Sequence, residues 1–298
     1  MSALNYKQCT LCPRQCKADR TKAVGFCGMS DKIFAARAMV HTSEEPCISG
    51  TRGSGAVFFS GCSLKCAFCQ NSRISHDRFG MEISTERLVE ILLSLQERGV
   101  HNINIVTGTH FAPSIIEALD RIKGKLEIPV VWNTSGYENR ETIDALSNYC
   151  SVYLQDMKFY SSEISFKYAL CHDYFKFAIE ALEQMIDQIG APVFNDEGIL
   201  VRGVIIRHLV LPSCRRDSIS LLRGIKARVG SDKVILSIMS QYTPPSKKSE
   251  FKELNRKLTD FEYQSVCELA LELGFSGYFQ DRDSSDSSYT PDFDLLGL

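Results

Sequence analysis

The 298 residues carry 34 Lys and Arg against 36 Asp and Glu, for a net charge of −2, and 44% of them are hydrophobic. That balance suits a soluble globular chain; it leaves no footprint for nucleic acid and no basic face for a membrane surface. The longest apolar stretches, such as Val204 to Leu211, fall far short of a bilayer span, and Met1 to Lys7 lacks the apolar core of a signal peptide, so a cytoplasmic protein is expected.

In chain order, a short strand is expected around Ile33 to Val40. From residue 55 onward strand-like and helix-like segments alternate. Ala56 to Phe59 reads as a buried strand. Ser84 to Gly99 reads as a helix, because Leu88, Ile91, Leu92 and Leu95 repeat at helical spacing and Gly99 follows as a stop. Ile103 to Thr107 is the next strand, and a helix with Pro113 in its first turn places Ile115, Leu119 and Ile122 on one face. Pro129 to Trp132 is a third strand, followed by a helix around Ile143 and Leu146. Val152 to Leu154 is a fourth strand, and a longer helical region runs roughly from Ser162 to Ile189. Val201 to Leu211 and Val234 to Met239 complete six strands, and Tyr263 to Leu273 is the last helix.

Such alternation implies parallel strands with crossover helices: an α/β fold, read as a partial (β/α)6 TIM-like barrel with a doubly wound sheet as competitor. In either fold ligands gather at the carboxyl ends of strands. Polar residues cluster there, at Gly61-Cys62, Thr107 to His110, Asn133 to Ser135, Asp156 with Lys158, Arg207-His208 and Ser240-Gln241. The run Gly50-x-x-Gly53-x-Gly55 precedes a strand instead of opening a helix, so it reads as a turn and not as a dinucleotide fingerprint. Three regions follow: 1–50, a small cysteine-rich metal-binding module with a lead-in strand; 51–280, the barrel; and 281–298, a Ser- and Asp-rich tail for which disorder is favoured over an extended cover.

Cysteine is the outlier, with twelve residues, seven of them in two clusters before residue 70. Without an export signal, clustered cysteines point to metal and not to disulfides. Cys47, Cys150, Cys171, Cys214 and Cys267 are scattered and read as small buried hydrophobes. Cys9, Cys12, Cys16 and Cys27 offer four thiolates within nineteen residues, a segment too small for its own core, so a metal is expected to stabilise it. Tetrahedral zinc and a second iron–sulfur cluster both fit, with structural zinc slightly favoured. Cys62-Ser-Leu-Lys-Cys66-Ala-Phe-Cys69 has the spacing C-x3-C-x2-C, which chance produces roughly 0.02 times in such a chain. A closed site takes four thiolates, so three leave one iron of a cubane open to a small molecule. The competing reading is a zinc loop completed by a distant ligand such as His76.

The stretch Gly53 to Asn71 resembles radical S-adenosylmethionine (radical SAM) proteins related to the activating enzyme of pyruvate formate-lyase, and more narrowly their PflX-like branch. The likeness extends to Cys12-Pro-Arg-x-Cys16, Glu44-Glu45-Pro46, Trp132 to Gly136, Asp156-Met157-Lys158, Ile206 to Pro212 and Ser240-Gln241-Tyr242. It implies a [4Fe–4S] cluster on Cys62, Cys66 and Cys69 that binds S-adenosylmethionine, whose reductive cleavage yields a 5′-deoxyadenosyl radical. It further implies that Phe68 packs near the adenine, and that Gly108, Thr109 and His110 take the place of a Gly-Gly-Glu motif at the methionyl amino group. Asn133, Thr134 and Asp156 match positions contacting the methionyl moiety or a nearby cation. Lys158 and Arg207 match basic positions near its carboxylate or ribose, and Gln241 falls where the activating enzyme carries a His. The implied partners are a protein substrate, namely a glycyl radical enzyme attacked at a backbone glycine, and an external reductant such as a flavodoxin or ferredoxin. Modification of a small metabolite or a peptide side chain is the alternative within this class; a non-enzymatic iron–sulfur or zinc protein is the alternative outside it.

Overall fold

The computed structural model describes residues 4–245, 249–280 and 291–298. The elements run β1 (Ile33–His41), α1 (Pro46–Ser49), β2 (Ser54–Phe59), α2 (Ser72–Ser75), β3 (Met81–Ile83), α3 (Thr85–Glu97), β4 (Ile103–Val106), α4 (Ala112–Arg121), β5 (Val130–Thr134), α5 (Arg140–Ala145) and β6 (Val152–Asp156). They continue with α6 (Ser162–Ala169), α7 (Tyr174–Ile189), β7 (Val193–Phe194), β8 (Leu200–Leu209), α8 (Arg215–Val229), β9 (Ile235–Met239), α9 (Asp260–Glu272) and β10 (Gly277–Phe279).

One sheet organises the chain, in the order β10-β9-β8-β6-β5-β4-β2-β1-β3, with β7 pairing β8 off this path. Every pairing from β2 through β10 along that order is parallel. β1 pairs antiparallel with β2 and with β3. The result is the expected α/β architecture, a partial barrel left open between β10 and β3. The central strands are apolar runs buried on both faces, as parallel strands covered by helices must be. Outward-facing Ile105, Trp132, Tyr153 and Ile206 pack beneath the helices. Inward-facing Val131, Leu154, Ile205 and Ile235 form a second cluster, plugged by Cys47 and Ile48 of α1.

All six expected parallel strands are present, and β10 adds a seventh. A three-residue Gly-Tyr-Phe segment carries too little periodicity to be recognised. Its glycine is needed for close approach, since a Cβ on Gly277 would stand 2.0 Å from the Leu236 carbonyl oxygen. The helical region expected from roughly Ser162 to Ile189 consists of two helices: Leu170 adopts a left-handed φ of 52° and ends α6, and α7 begins at Tyr174. The last helix starts earlier than apolar periodicity indicates. Thr259 and Glu262 form a reciprocal capping box that places its first turn at Asp260.

Of the tail, 281–290 lie outside the described residues, so the expectation of disorder there is left where the sequence put it. Residues 291–298 are ordered against the barrel. Phe293 is buried and stacks edge-on with Phe58 at 5.6 Å. The Leu295 amide donates to the Ala36 carbonyl and the Ala38 amide to the Leu296 carbonyl, and Arg37 pairs with Asp294 at 3.2 Å. This segment lies alongside β1. Cys47, Cys150, Cys171 and Cys214 are buried, and Cys267 is half-buried. Among the described residues no helix is long and apolar enough to cross a membrane.

Candidate active site

A cavity of about 210 Å³ opens at the carboxyl ends of β2, β4, β5, β6, β8 and β9. Cys62, Cys66 and Cys69 line it, on the loop that leaves β2, together with Phe68. Gly61 turns this loop with φ 83°. The Leu64 amide stands 3.4 Å from Cys62 Sγ, and Ser75 Oγ stands 3.2 Å from Cys69 Sγ. Burial pushes the Cys62 thiol up to about 11 and raises those of Cys66 and Cys69, while nearby Lys158 pulls in the opposite direction. The loop therefore holds three neutral thiols beside a cation, a set that loses its protons when a metal binds.

Across the cavity three strands, β5, β6 and β8, and the loop after β1 meet at one guanidinium. Arg207 donates from Nε to Asp156 (3.0 Å), from Nη1 to Glu44 (3.0 Å) and from Nη2 to the Asn133 side-chain oxygen (2.7 Å). The other oxygen of Glu44 accepts from Asn104 at 3.0 Å and from Asn133 at 3.2 Å. Lys158 Nζ donates to the second oxygen of Asp156 at 2.5 Å. Burial opposes charge on Asp156, yet Lys158 and Arg207 together hold its carboxyl below the usual range. Burial likewise works against the Lys158 ammonium, and Asp156 more than offsets it. Two carboxylates and two cations thus neutralise one another, each with fixed hydrogen-bond partners.

Most residues singled out from the sequence converge here: Phe68, Asn133, Thr134, Asp156, Lys158, Arg207 and Gln241 all line the cavity. Phe68 stands edge-on to Phe159 at 5.8 Å. Gln241 is tied to the cysteine loop through Gln70, whose side-chain amide donates to the Gln241 carbonyl at 3.1 Å. Gly108, Thr109 and His110 do not reach the cavity, which departs from the expectation for them. Thr107 takes a left-handed φ of 60°, faces the cavity itself, and sends the next three residues beneath the loop. A Cβ on Gly108 would lie 2.6 Å from Ile105, so that residue packs into the core. Thr109 donates to Glu138 at 2.5 Å, and His110 Nε2 bonds the Ser60 carbonyl at 2.7 Å. His208 also turns away, holding Met157 and Ser218.

Glu44, His41 and Thr107 line the cavity without having been singled out as site residues. The Glu-Glu-Pro string after β1 was the available signal for Glu44, but its partner Arg207 stands 163 positions away. Glu138 was also missed. It is buried and accepts from the hydroxyls of Thr109 and Thr134, the latter being a cavity residue. Burial pushes its carboxyl up to about 7, against those two hydroxyls. Its proton is therefore held more tightly folded than unfolded. Its stabilisation is complete below the unfolded value near 4.3 and is lost as pH rises through about 7. Replacing Glu138 with Gln is expected to remove roughly 3 kcal/mol of pH dependence between pH 4 and 8. Urea midpoints across that range read it directly, and an unchanged slope in the variant would refute the assignment.

The donor set fits a metal cluster with an open coordination position. Three thiolates on one loop face a cavity that continues past Lys158 to Arg207. Among the described residues no three His, Cys, Asp or Glu side chains already converge on the position of one ion.

Comparison with known proteins bears on the same loop. The family model described as the radical SAM superfamily matches residues 56–204. "Uncharacterized protein MJ0674" of Methanocaldococcus jannaschii is 28% identical over 278 residues, which is 89% of this chain and 75% of that one. Among solved structures, SuiB of Streptococcus suis bound to its precursor peptide SuiA aligns with a TM-score of 0.51 at 14% identity, over 74% of this chain and 46% of SuiB. This chain thus spans about half the length of SuiB. A mutant of spore photoproduct lyase aligns with a TM-score of 0.50 at 12% identity, over 74% of each chain. At these identities the structural likeness speaks for the fold alone.

Proposed function

The chain belongs to the radical SAM superfamily, and from that premise we propose that it cleaves S-adenosylmethionine reductively in this cavity and takes a hydrogen atom from a substrate. The observation that carries this reading is that Cys62, Cys66 and Cys69 share one cavity with Asp156, Lys158 and Arg207. The three thiolates would hold a [4Fe–4S] cluster which, with S-adenosylmethionine on its open iron, supplies one-electron cleavage of the sulfonium.

The protein's own residues bind and orient. Lys158 lies near Cys66 and offsets the negative charge that builds up as the thiols lose their protons. Arg207, fixed by three partners, and Asp156 offer a charge-paired wall suited to a zwitterionic amino-acid group. Asn133 and Thr134 add polar contacts from the end of β5, and Phe68 offers an aromatic ring on the cysteine loop. Rigid placement of these groups is what lets binding energy be used for positioning.

For the substrate, resemblance to activating enzymes supports a backbone glycine of a partner protein, a glycyl radical enzyme. The charged lining favours a second reading, a small polar metabolite, and Pro291 of the C-terminal segment adds to the wall on that side. An anaerobic assay with reconstituted protein, dithionite and S-adenosylmethionine tests the core claim through 5′-deoxyadenosine. A loaded cluster that forms none, with or without cell extract, would count against it. Acceleration by the extract fraction that passes a protein-retaining membrane would select the metabolite; acceleration by the retained fraction alone would select the protein.

A further inference from the structure

Residues 4–32 carry no helix or strand and lie outside the span matched by the family model. Two tight turns carry four thiols. In the first, Lys17 N donates to the Cys9 carbonyl, Cys9 N to that of Ala18, and Gln15 N to that of Cys12. Gln15 and Lys17 take φ of 40° and 54° to close it. In the second, Gly25 N donates to the Met29 carbonyl and Gly28 N to that of Gly25, around Cys27. The turns meet at Gly25. A Cβ there would lie 3.4 Å from Cys16 Sγ and 3.5 Å from Cys27 Sγ. Cys9, Cys12 and Cys27 are buried, Cys16 is exposed, and none is in a disulfide.

Arg20 supplies an independent observation. Its side chain is fully buried and donates to the carbonyls of Met29 (3.0 Å), Ser30 (2.5 Å) and His110 (2.6 Å). One Nη stands 3.7 Å from Cys9 Sγ. Among the described residues no carboxylate forms an ion pair with it. Beyond these it meets, among the described residues, only the rings of Tyr6 at 4.9 Å and Phe111 at 5.8 Å, and a buried guanidinium served by neutral groups is costly without a countercharge.

We infer that Cys9, Cys12, Cys16 and Cys27 bind a metal centre as four thiolates, and that this anionic centre is the countercharge of Arg20. Four thiolates outweigh the charge of zinc or of an oxidised four-iron cluster, so the centre is anionic in either form. All four positions are filled by protein, so the centre is closed, unlike the three-cysteine loop. It also braces that loop. Arg14, between Cys12 and Cys16, donates from Nε to the Ser63 carbonyl at 2.9 Å and from its Nη atoms to those of Ala169 and Leu170. A Cβ on Gly61 would lie 2.9 Å from the Cys27 carbonyl oxygen and 2.5 Å from Met29, so loop and module are in direct contact.

The test uses the full chain with Cys62, Cys66 and Cys69 all changed to Ser, so that its outcome is independent of the proposed activity. Zinc, iron and acid-labile sulfide are measured on anaerobically purified protein. Either about one zinc, or iron and sulfide at about four each, per chain supports the centre and identifies its form. Cys16→Ser on this background disturbs packing least, because that thiol is exposed, and should lose most of the metal. Arg20→Met should release metal faster to a chelator, with Arg20→Lys restoring part of the retention. A triple variant with native circular dichroism but neither metal, or full metal content after Cys16→Ser and Cys27→Ser together, would overturn the inference.

Discussion

Cys66→Ser is expected to abolish formation of 5′-deoxyadenosine while leaving the protein folded. The side chain lies on a loop between β2 and α2 that contributes no strand to the sheet. The barrel is held by seven parallel strands and an apolar layer beneath the helices, in which Cys66 is one member of a large cluster. Exchanging sulfur for oxygen there costs about 1 kcal/mol, a typical value for one mutation and too little to unfold the chain. The chemical cost is far larger. A serine hydroxyl is a poor ligand for the soft iron of a sulfide cluster, and two thiolates on a short loop hold it weakly. Urea midpoint, iron content and product formation, measured together, separate the two effects. Product at the wild-type level in the variant would remove Cys66 from the ligand set.

Arg207→Ala is expected to reduce both stability and affinity for S-adenosylmethionine. The change strips Glu44 and Asp156 of a shared cation while both carboxylates stay largely buried, at 8% and 17% side-chain exposure. Removing one partner of a buried ion pair costs about 3–5 kcal/mol. Here Lys158, Asn104 and Asn133 still serve the two carboxylates, which points to the lower end. Arg207→Lys keeps the charge but cannot reproduce a fork that reaches Asp156, Glu44 and Asn133 at once, so it should recover only part of the loss. The double variant Glu44→Gln with Arg207→Met should be more stable than Arg207→Met alone, because it removes the orphaned charge along with its partner. Denaturation and anaerobic titration calorimetry read these changes, and a positive result requires non-additivity between the two sites. Simple addition would mean that Glu44 and Arg207 are neighbours without energetic coupling.

How far each feature was legible depended on how local its chemistry is. The C-x3-C-x2-C loop and the four-cysteine module are short, and their chemistry is carried by residue type and spacing, so both stood out at once. Long strands such as β8 and amphipathic helices such as α3 announce themselves through periodicity. The turn at Leu170 does not, because a leucine in left-handed backbone has no sequence signature. Thr107 is the same case at the site itself. A β-branched residue at φ 60° lines the cavity while the three residues after it do not, and left-handed backbone at a threonine has no sequence signature.

The sequence by itself determined the fold class, the family, and three thiols at the end of the first parallel strand. The fold class and the thiols follow from local periodicity and spacing, and the family from the resemblance of short local motifs. Only the tertiary structure decided that Glu44, Asn133, Asp156, Lys158 and Arg207 form one charge-neutral wall, that Glu138 is tied to Thr134 of the cavity, and that Arg20 lies buried among carbonyls beside the Cys9 thiol. Such pairings join residues as many as 163 positions apart, and the folded surroundings hold Asp156 charged through its cationic partners while burial holds the proton on Glu138. Both are properties of the packed sheet, in which strands distant along the chain end side by side.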